Sequence, residues 1–399
     1  MSRMPPLAPA IDELEISRIA QVFELGFGRE NLISLWVGEG DLPTPAFICD
    51  AATAAMAAGK TYYTQKCGIP ELRQAIAEYT DGLYGTDTGA ERVIVTSSGM
   101  NGIMLTLQAI LAPGDNVVVV SPVWPNIVSS IRIVGGVDKP VCLDPLPDGG
   151  FALDLSRLAA AIDARTRAIF IASPGNPTGW VMTAEQQRQV LDLCRARGLW
   201  ILADEAYARF IYDESDGGSG GNRAAAPSFL EVASPDDPLI VISTFSKTWA
   251  MTGWRMGWLT VPAKFEPVLD KLIEFNTSGA PHFLQYACIT AIREGEPFVA
   301  EMVERCRLGG ALVFERLSAL PGIRIAQPRG SFYSFFAVDG LQDSLAYAKY
   351  LLNETGVGLA PGSAFGPGGE GHMRLCFASS AEKLTQALDR LVPVLAKGV

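Results

Sequence analysis

The sequence predicts an α/β fold, in which a large domain with a mostly parallel sheet between helices is joined to a smaller α+β domain. The chain has 399 residues, more than one typical domain of about 150 residues contains. Between about residues 90 and 260, short apolar runs alternate with helical patterns, which is typical of parallel strands joined by right-handed helical crossovers. After about residue 275, longer helical stretches and separate strands replace that alternation.

The individual elements follow from the spacing of apolar residues. Val117–Val120 is a run of four valines, so it predicts a strand buried on both faces. The other strands predicted for the large sheet are Arg92–Ser97, Ala168–Ala172, Trp200–Ala203 and Leu239–Ser243, and helices are predicted at Pro70–Tyr79, Met100–Leu111 and Ala184–Arg197. In the last part of the chain we expect helices at Gln285–Ile292, Val299–Leu320 and Ala381–Leu395, and strands at Ser331–Val338 and Met373–Phe377.

These patterns divide the chain into three segments. Residues 1–45 are expected to form an N-terminal arm and part of the small domain, 46–275 the large ligand-binding domain, and 276–399 the small C-terminal domain. The glycine-rich stretch Asp213–Ser228 is too short to separate domains and predicts a surface loop.

Composition and charge exclude several classes of function. Lys and Arg number 32 and Asp and Glu 43, and the net charge of −11 repels nucleic acids and anionic membranes. No apolar window of about 18 residues predicts a membrane span. Two histidines and seven scattered cysteines without a Cys-x-x-Cys argue against a metal site and favour a reducing, cytoplasmic location. Gly59-Lys60-Thr61 lacks the first glycine of a phosphate-binding loop.

Four polar segments directly follow or lie near the predicted strands, where parallel sheets bind ligands. They are Ser173–Gly179, Asp204–Tyr207, Thr244–Lys247 and Met251–Gly257. Each alone is common, but in this order and spacing they resemble the class I/II aminotransferases of the pyridoxal 5′-phosphate (PLP) enzymes of fold type I. The resemblance runs from about residue 30 to 395 and implies a seven-stranded sheet in the large domain.

The resemblance implies PLP as cofactor and assigns residues to its ring. Lys247 would hold the PLP aldehyde as a Schiff base and then move the α-proton of the substrate. This task needs a lysine with a lowered pKa, which burial and neighbouring cations provide. Asp204 would keep the pyridine nitrogen protonated, Tyr207 and Asn176 would bind the O3′ oxygen, and Trp124 would stack on the ring.

The phosphate of the cofactor needs N–H groups and a cation. By the resemblance, Ser98, Gly99 and Met100 at the start of a predicted helix would bind it, because a helix N-terminus favours an anion. Arg255 would add a bidentate guanidinium, and the hydroxyls would come from Thr244 and Ser246. Tyr63, in a segment similar to Tyr-x-x-x-x-Gly-x-x-x-Leu-Arg, would reach the phosphate of the partner subunit, which implies a homodimer.

The substrate is expected to be bound by its α-carboxylate. Arg374, in Met373-Arg374-Leu375-Cys376-Phe377, matches the family position whose guanidinium fork pairs with that group. Gly38, Trp124 and Asn176 would complete the substrate site, and no metal is expected. A dicarboxylate donor needs a further cation, for which Lys66 and Arg29 are the candidates.

The function implied is transamination from an L-amino acid to a 2-oxo acid such as 2-oxoglutarate. Aspartate is the first donor expected, because residues 38–45 and 121–124 are similar to those of the aspartate aminotransferase group. A C–S lyase or a decarboxylase of the same fold would share Lys247, Asp204 and Arg255. A non-catalytic PLP-binding sensor is a second alternative, and the net charge of −11 argues against a nucleic-acid-binding version of it.

Overall fold

The chain folds around a seven-stranded sheet, seen in a computed structural model that describes residues 8–212 and 225–399. Most of the predicted loop 213–228 lies outside the described residues. The helices, numbered in chain order, are α1 Pro9–Asp12, α2 Arg18–Gly26, α3 Ala46–Ala57, α4 Pro70–Tyr84, α5 Gly99–Ile110, α6 Asn126–Ile133, α7 Leu155–Ala160, α8 Ala184–Arg197, α9 Phe245–Thr248, α10 Glu266–Glu274, α11 His282–Glu294, α12 Glu296–Ser318, α13 Ser344–Thr355 and α14 Ala381–Leu395.

The strands include all those predicted and several that were not. They are β1 Ile33–Ser34, β2 Val93–Thr96, β3 Asn116–Ser121, β4 Val137–Cys142, β5 Asp144–Pro145, β6 Phe151–Ala152, β7 Thr166–Ala172, β8 Trp200–Asp204, β9 Leu239–Thr244, β10 Gly257–Thr260, β11 Ile323–Arg324, β12 Tyr333–Val338, β13 Val357–Gly358, β14 Ala360–Pro361 and β15 His372–Cys376.

The large sheet has the strand order β2-β10-β9-β8-β7-β3-β4 and is mostly parallel, since β10 alone runs antiparallel to its two neighbours. The predicted fold class is therefore confirmed. Strand β4 was not predicted, because its residues Asp138, Lys139 and Pro140 break the apolar pattern. Such residues fit an edge strand, which is where β4 lies, and would be excluded from the centre.

Both faces of the large sheet are buried, as continuous apolar strands require. Successive side chains alternate between the faces, so Ile169 and Ile201 belong to one apolar cluster while Phe170 and Leu202 belong to another. The parallel register sets Ala172 beside Asp204. The polar residues that follow β7, β8 and β9 therefore gather at one edge of the sheet.

A second, antiparallel sheet, β11-β12-β15-β14, forms the centre of the C-terminal part and packs with α12, α13 and α14. The N-terminal segment pairs with the C-terminal part in a separate two-stranded parallel sheet of β1 and β13. Helix α11 packs on α3 and α4. The boundaries 1–45, 46–275 and 276–399 stay a prediction. Within the described ranges, none of the helices combines the length and apolar character that a membrane crossing needs.

Candidate active site

A cavity of about 500 Å³ lies between the carboxyl edge of the large sheet, the N-terminal segment and strands β12 and β15. All but two of the predicted site residues line it. Those that do are Gly38, Gly99, Met100, Trp124, Asn176, Asp204, Tyr207, Thr244, Ser246, Lys247, Arg255 and Arg374. Residues that are distant in sequence thus line one cavity, as their positions just after parallel strands predict.

Lys247 lies in the short helix α9, which begins where β9 ends. Its Nζ donates a hydrogen bond to the carbonyl oxygen of Gly38 at 2.6 Å. Burial lowers the pKa of Lys247 to about 8, because removing water disfavours the charged amine. A substantial fraction of this amine is therefore neutral near pH 8, as a lysine that bonds to a carbonyl carbon requires.

Asp204 ends β8 and faces the same cavity as Lys247. Its carboxylate accepts a hydrogen bond from the backbone N–H of Ala206 at 3.1 Å. Burial raises the pKa of Asp204 to about 6, although the Ala206 N–H and the positive charge of Lys247 both oppose that rise. A cation placed beside Asp204 would lower this pKa again, so the site suits a positively charged partner.

A second part of the cavity is built to hold an anion. Ser98 caps α5, with its Oγ accepting from the N–H of Asn101 at 3.1 Å, and only 5% of it is exposed. Thr244 Oγ1 donates to Ser246 Oγ at 2.9 Å, which places two hydroxyls side by side. Arg255 has a left-handed backbone conformation and is held by a 2.6 Å bond from Nη1 to the carbonyl of Thr252.

Gly257 allows this anion site to be compact. A Cβ at Gly257 would lie 2.6 Å from the backbone nitrogen of Gly99, so any side chain would push the start of α5 away from β10. The N–H groups at the start of a 12-residue helix therefore lie within the cavity wall, where they favour a negative charge.

Arg374, on β15, forms the opposite wall and is only 2% exposed. Its Nη1 donates to Asn176 Oδ1 at 3.0 Å and its Nη2 donates to the carbonyl of Trp36. The guanidinium carbon lies 4.5 Å from the ring centroid of Tyr333. Among the described residues, its Nε has no hydrogen-bond partner. A planar donor held in this way suits a carboxylate.

Two predicted residues do not line the cavity. Ser98 lies behind it as the cap of α5. Tyr63 is 90% exposed and lies outside the cavity lining. The two candidate cations for a dicarboxylate are also elsewhere. Lys66 pairs with Asp270 and Glu274, and the guanidinium of Arg29 donates to Asn353. In the described part of the chain, the cavity's basic residues are Lys247, Arg255 and Arg374.

Comparison with known proteins identifies this arrangement. The sequence-family model described as aminotransferase class I and II matches residues 30–391. The chain belongs to this family. Aspartate aminotransferase of Pyrococcus horikoshii is 34% identical over 95% of this chain and 94% of its own length. Aromatic-amino-acid aminotransferase 2 of Thermococcus litoralis is 34% identical over 98% of both chains. The structure of Thermus thermophilus aspartate aminotransferase with maleate matches with a TM-score of 0.87 and 32% identity, over 98% of this chain and 100% of that one.

The resemblance found in the sequence is thus confirmed, and with it PLP as the cofactor of this aminotransferase. The residues present fit that group. A helix N-terminus with two hydroxyls and Arg255 suits a phosphate, the buried carboxyl of Asp204 suits a protonated ring nitrogen, and the amine of Lys247 suits an aldehyde. Among the described residues, no cluster of His, Cys, Asp or Glu is arranged to hold a metal ion.

Several residues of the aminotransferase cavity could not be found from the sequence pattern. Tyr333 lies in the strand predicted at Ser331–Val338, but the strand pattern assigned it no role in the site. Helix α2 lines the cavity with Ile19, Ala20 and Phe23. The ring of Phe23 packs edge-on against that of Trp36, with 5.9 Å between the ring centroids. The amphipathic spacing of α2 predicts a buried face, but no local signal indicates which surface covers that face.

Proposed function

We propose that this cavity transfers the amino group of an L-amino acid to a 2-oxo acid, with Lys247 as the residue that bonds to the cofactor and moves the α-proton. The observation that carries this proposal is that one cavity is lined by the Lys247 amine with its lowered pKa, the buried carboxyl of Asp204 and the anion site. When bound, PLP withdraws electrons from the α-carbon of the substrate.

The roles of the chain's own residues follow from where they lie. Lys247, as a neutral amine, would take the proton from the α-carbon of the substrate and then deliver it to C4′ of the cofactor. Asp204 keeps the pyridine nitrogen of the cofactor protonated, and Tyr207 presents its hydroxyl to the O3′ oxygen of the cofactor. Arg374 binds the α-carboxylate, which fixes the α-carbon in reach of Lys247, and Asn176 orients that guanidinium.

The donor is supported by the names of the relatives. The names of the aspartate aminotransferases of Pyrococcus horikoshii and Thermus thermophilus support aspartate as donor, and 2-oxoglutarate is the acceptor that we propose with it. A panel of amino donors against 2-oxoglutarate, pyruvate and oxaloacetate tests this. If aspartate gives a lower kcat/KM than phenylalanine or tyrosine, aspartate is not the preferred donor.

We also propose a cytoplasmic homodimer with shared sites. Tyr63 and Phe275 are each 90% exposed, and the ion pair of Lys66 with Glu274 holds their two segments together. Exposed aromatic side chains of this size are typical of a surface that another subunit covers. The seven cysteines, all free, support a reducing compartment.

Mixing two impaired variants tests the shared site. In a dimer of one Lys247→Ala subunit and one Tyr63→Ala subunit, one site has both native residues. Mixing and reassociation should therefore restore part of the activity. If activity stays at the sum of the separate variants, the two residues do not act across subunits.

The central experiment compares Lys247→Ala with Lys264→Ala, whose side chain is 68% exposed. The holoenzyme absorbs in the visible range, and Lys247→Ala should lose that band while Lys264→Ala keeps it. With an amino acid alone, the wild-type enzyme should release one 2-oxo acid per site and no ammonia. Release of pyruvate and ammonia would instead identify a lyase, and an unchanged band in Lys247→Ala would overturn the lysine assignment.

A further inference from the structure

Tyr333 joins the two halves of the cavity. Its hydroxyl lies 2.7 Å from the hydroxyl of Tyr207, and the guanidinium of Arg374 stacks 4.5 Å from its ring centroid. The side chain is 1% exposed, and it begins β12, whose register sets it opposite Cys376 of β15. Tyr333 therefore contacts one residue assigned to the cofactor and one assigned to the substrate.

The contact with Tyr207 controls where a proton can point. Each of the two hydroxyls has one proton, and one of those protons occupies the space between the oxygens. If Tyr333 donates, the proton of Tyr207 is free for an acceptor inside the cavity. A donated hydrogen bond also polarises Tyr207, which strengthens the bond that Tyr207 makes in turn.

The contact with Arg374 is made by the ring and not by the hydroxyl. A cation over an aromatic face is attracted to it most strongly where water is excluded. The guanidinium carbon also lies over the ring of Phe365, 4.9 Å from its centroid. These rings fix the plane of the guanidinium, while Asn176 and the carbonyl of Trp36 fix its rotation in that plane.

We propose that Tyr333 is a positioning residue with two separable parts: its hydroxyl aims the proton of Tyr207 at the ring oxygen of the cofactor, and its ring holds Arg374 flat for the α-carboxylate. The proposal rests on the proposed function, which assigns the ring oxygen of the cofactor to Tyr207 and the α-carboxylate of the substrate to Arg374. The titratable and charged groups that face Tyr333 are Tyr207, Asp204, Arg374 and Cys376.

Two substitutions separate the two parts. Tyr333→Phe removes the hydroxyl and keeps the ring, whereas Tyr333→Leu removes both. Tyr347→Phe is the matched control, since Tyr347 is 6% exposed and its hydroxyl has no partner among the described residues. The readouts are the pH midpoint of the visible absorbance of the holoenzyme and the separate values of kcat and KM.

In Tyr333→Phe we expect the pH midpoint to rise by about 0.5–1 unit, the effect of one weakened hydrogen bond to the ionised ring oxygen. KM for the amino donor should stay within about two-fold. In Tyr333→Leu, KM should rise about ten-fold or more, since the cation–aromatic contact is lost. Tyr347→Phe should match the wild type in every measurement.

Two outcomes overturn the proposal. If Tyr333→Phe keeps the wild-type midpoint, the hydroxyl does not aim Tyr207. If Tyr333→Phe and Tyr333→Leu raise KM equally, the ring does not hold Arg374. The proposed function is tested separately, by whether the wild-type enzyme releases a 2-oxo acid without ammonia. Failure of the Tyr333 proposal is therefore distinguishable from failure of the proposed function.

Discussion

Gly38 should tolerate no side chain, because Tyr333 fills the space beside it. A Cβ at this position would lie 2.3 Å from the hydroxyl oxygen of Tyr333 and 3.4 Å from its ring carbon Cζ. Tyr333 cannot swing aside, since Tyr207 binds its hydroxyl and Arg374 stacks on its ring. The backbone of Gly38 is also held, by the bond that its carbonyl accepts from Lys247.

The size of the expected loss of stability follows from this steric overlap. Forcing one extra methyl group into a packed interior typically costs about 1–3 kcal/mol, and we expect Gly38→Ala to destabilise the protein by that amount. The clash is with the hydroxyl oxygen, whereas the ring carbon at 3.4 Å is in ordinary contact. In the double variant Gly38→Ala/Tyr333→Phe most of the loss should therefore disappear, which gives a coupling of about 1–2 kcal/mol.

The assay is a double-mutant cycle on thermal unfolding midpoints, measured for all four proteins at one pH and one cofactor concentration. Gly82→Ala is the control, because Gly82 lies in α4, is exposed, and a Cβ there would meet nothing within 4 Å. Alanine should stabilise that helix by about 0.5–1 kcal/mol. Additive effects of Gly38→Ala and Tyr333→Phe would refute the reasoning, as would a Gly38→Ala variant of wild-type stability.

Three further variants test other parts of the structure. Arg374→Lys should raise KM for the amino donor about 100-fold and leave the visible spectrum unchanged, because lysine lacks the planar fork; steady-state kinetics with absorbance spectra measure this, and an unchanged KM contradicts it. Burial raises the pKa of Glu205 from the usual 4.5 to about 8, so its contribution to stability is present at low pH and is lost as pH rises from about 4.5 toward 8. Glu205→Gln should therefore flatten the decline of the unfolding midpoint between pH 5 and 8, and an unchanged slope contradicts this. Glu296→Ala should cost about 2–4 kcal/mol in denaturant unfolding because it removes the carboxylate that pairs with the buried Arg209 at 2.6 Å, whereas Glu185→Ala, in an exposed pair, should cost under about 0.5 kcal/mol.

Much of the fold could be predicted because its signals are local. Helices α8 and α14 have the bounds that the sequence indicated. Thr183 and Gln186 form a capping box at the start of α8, and Gly198 ends it in a left-handed conformation. The strand ends were equally predictable, since parallel strands bring the residues that follow them to one edge. This is why Asp204 and Lys247 could be placed in one site without coordinates.

What could not be predicted depends on packing between distant segments. Gly38 and Tyr333 touch only because the N-terminal segment crosses the cavity in front of β12, and neither residue's neighbours in sequence indicate this. The cavity-facing side of α2 was missed for the same reason. Lys66 illustrates the reverse error. A lysine near Tyr63 was a reasonable candidate for a second carboxylate site, but Asp270 and Glu274 from α10 neutralise it.

The partners of the three cavity cations explain how an acidic protein binds anions. Lys247, Arg255 and Arg374 are held by the neutral oxygens of Gly38, Thr252, Asn176 and Trp36. In the described part of the chain none of the three forms an ion pair with a carboxylate, whereas Lys66 and Arg209 do. A neutral oxygen orients a cation without cancelling its charge, so the charge remains available. A bound phosphate and α-carboxylate then supply negative charge to these cations, and the pair with Arg374 is strengthened because that guanidinium is buried.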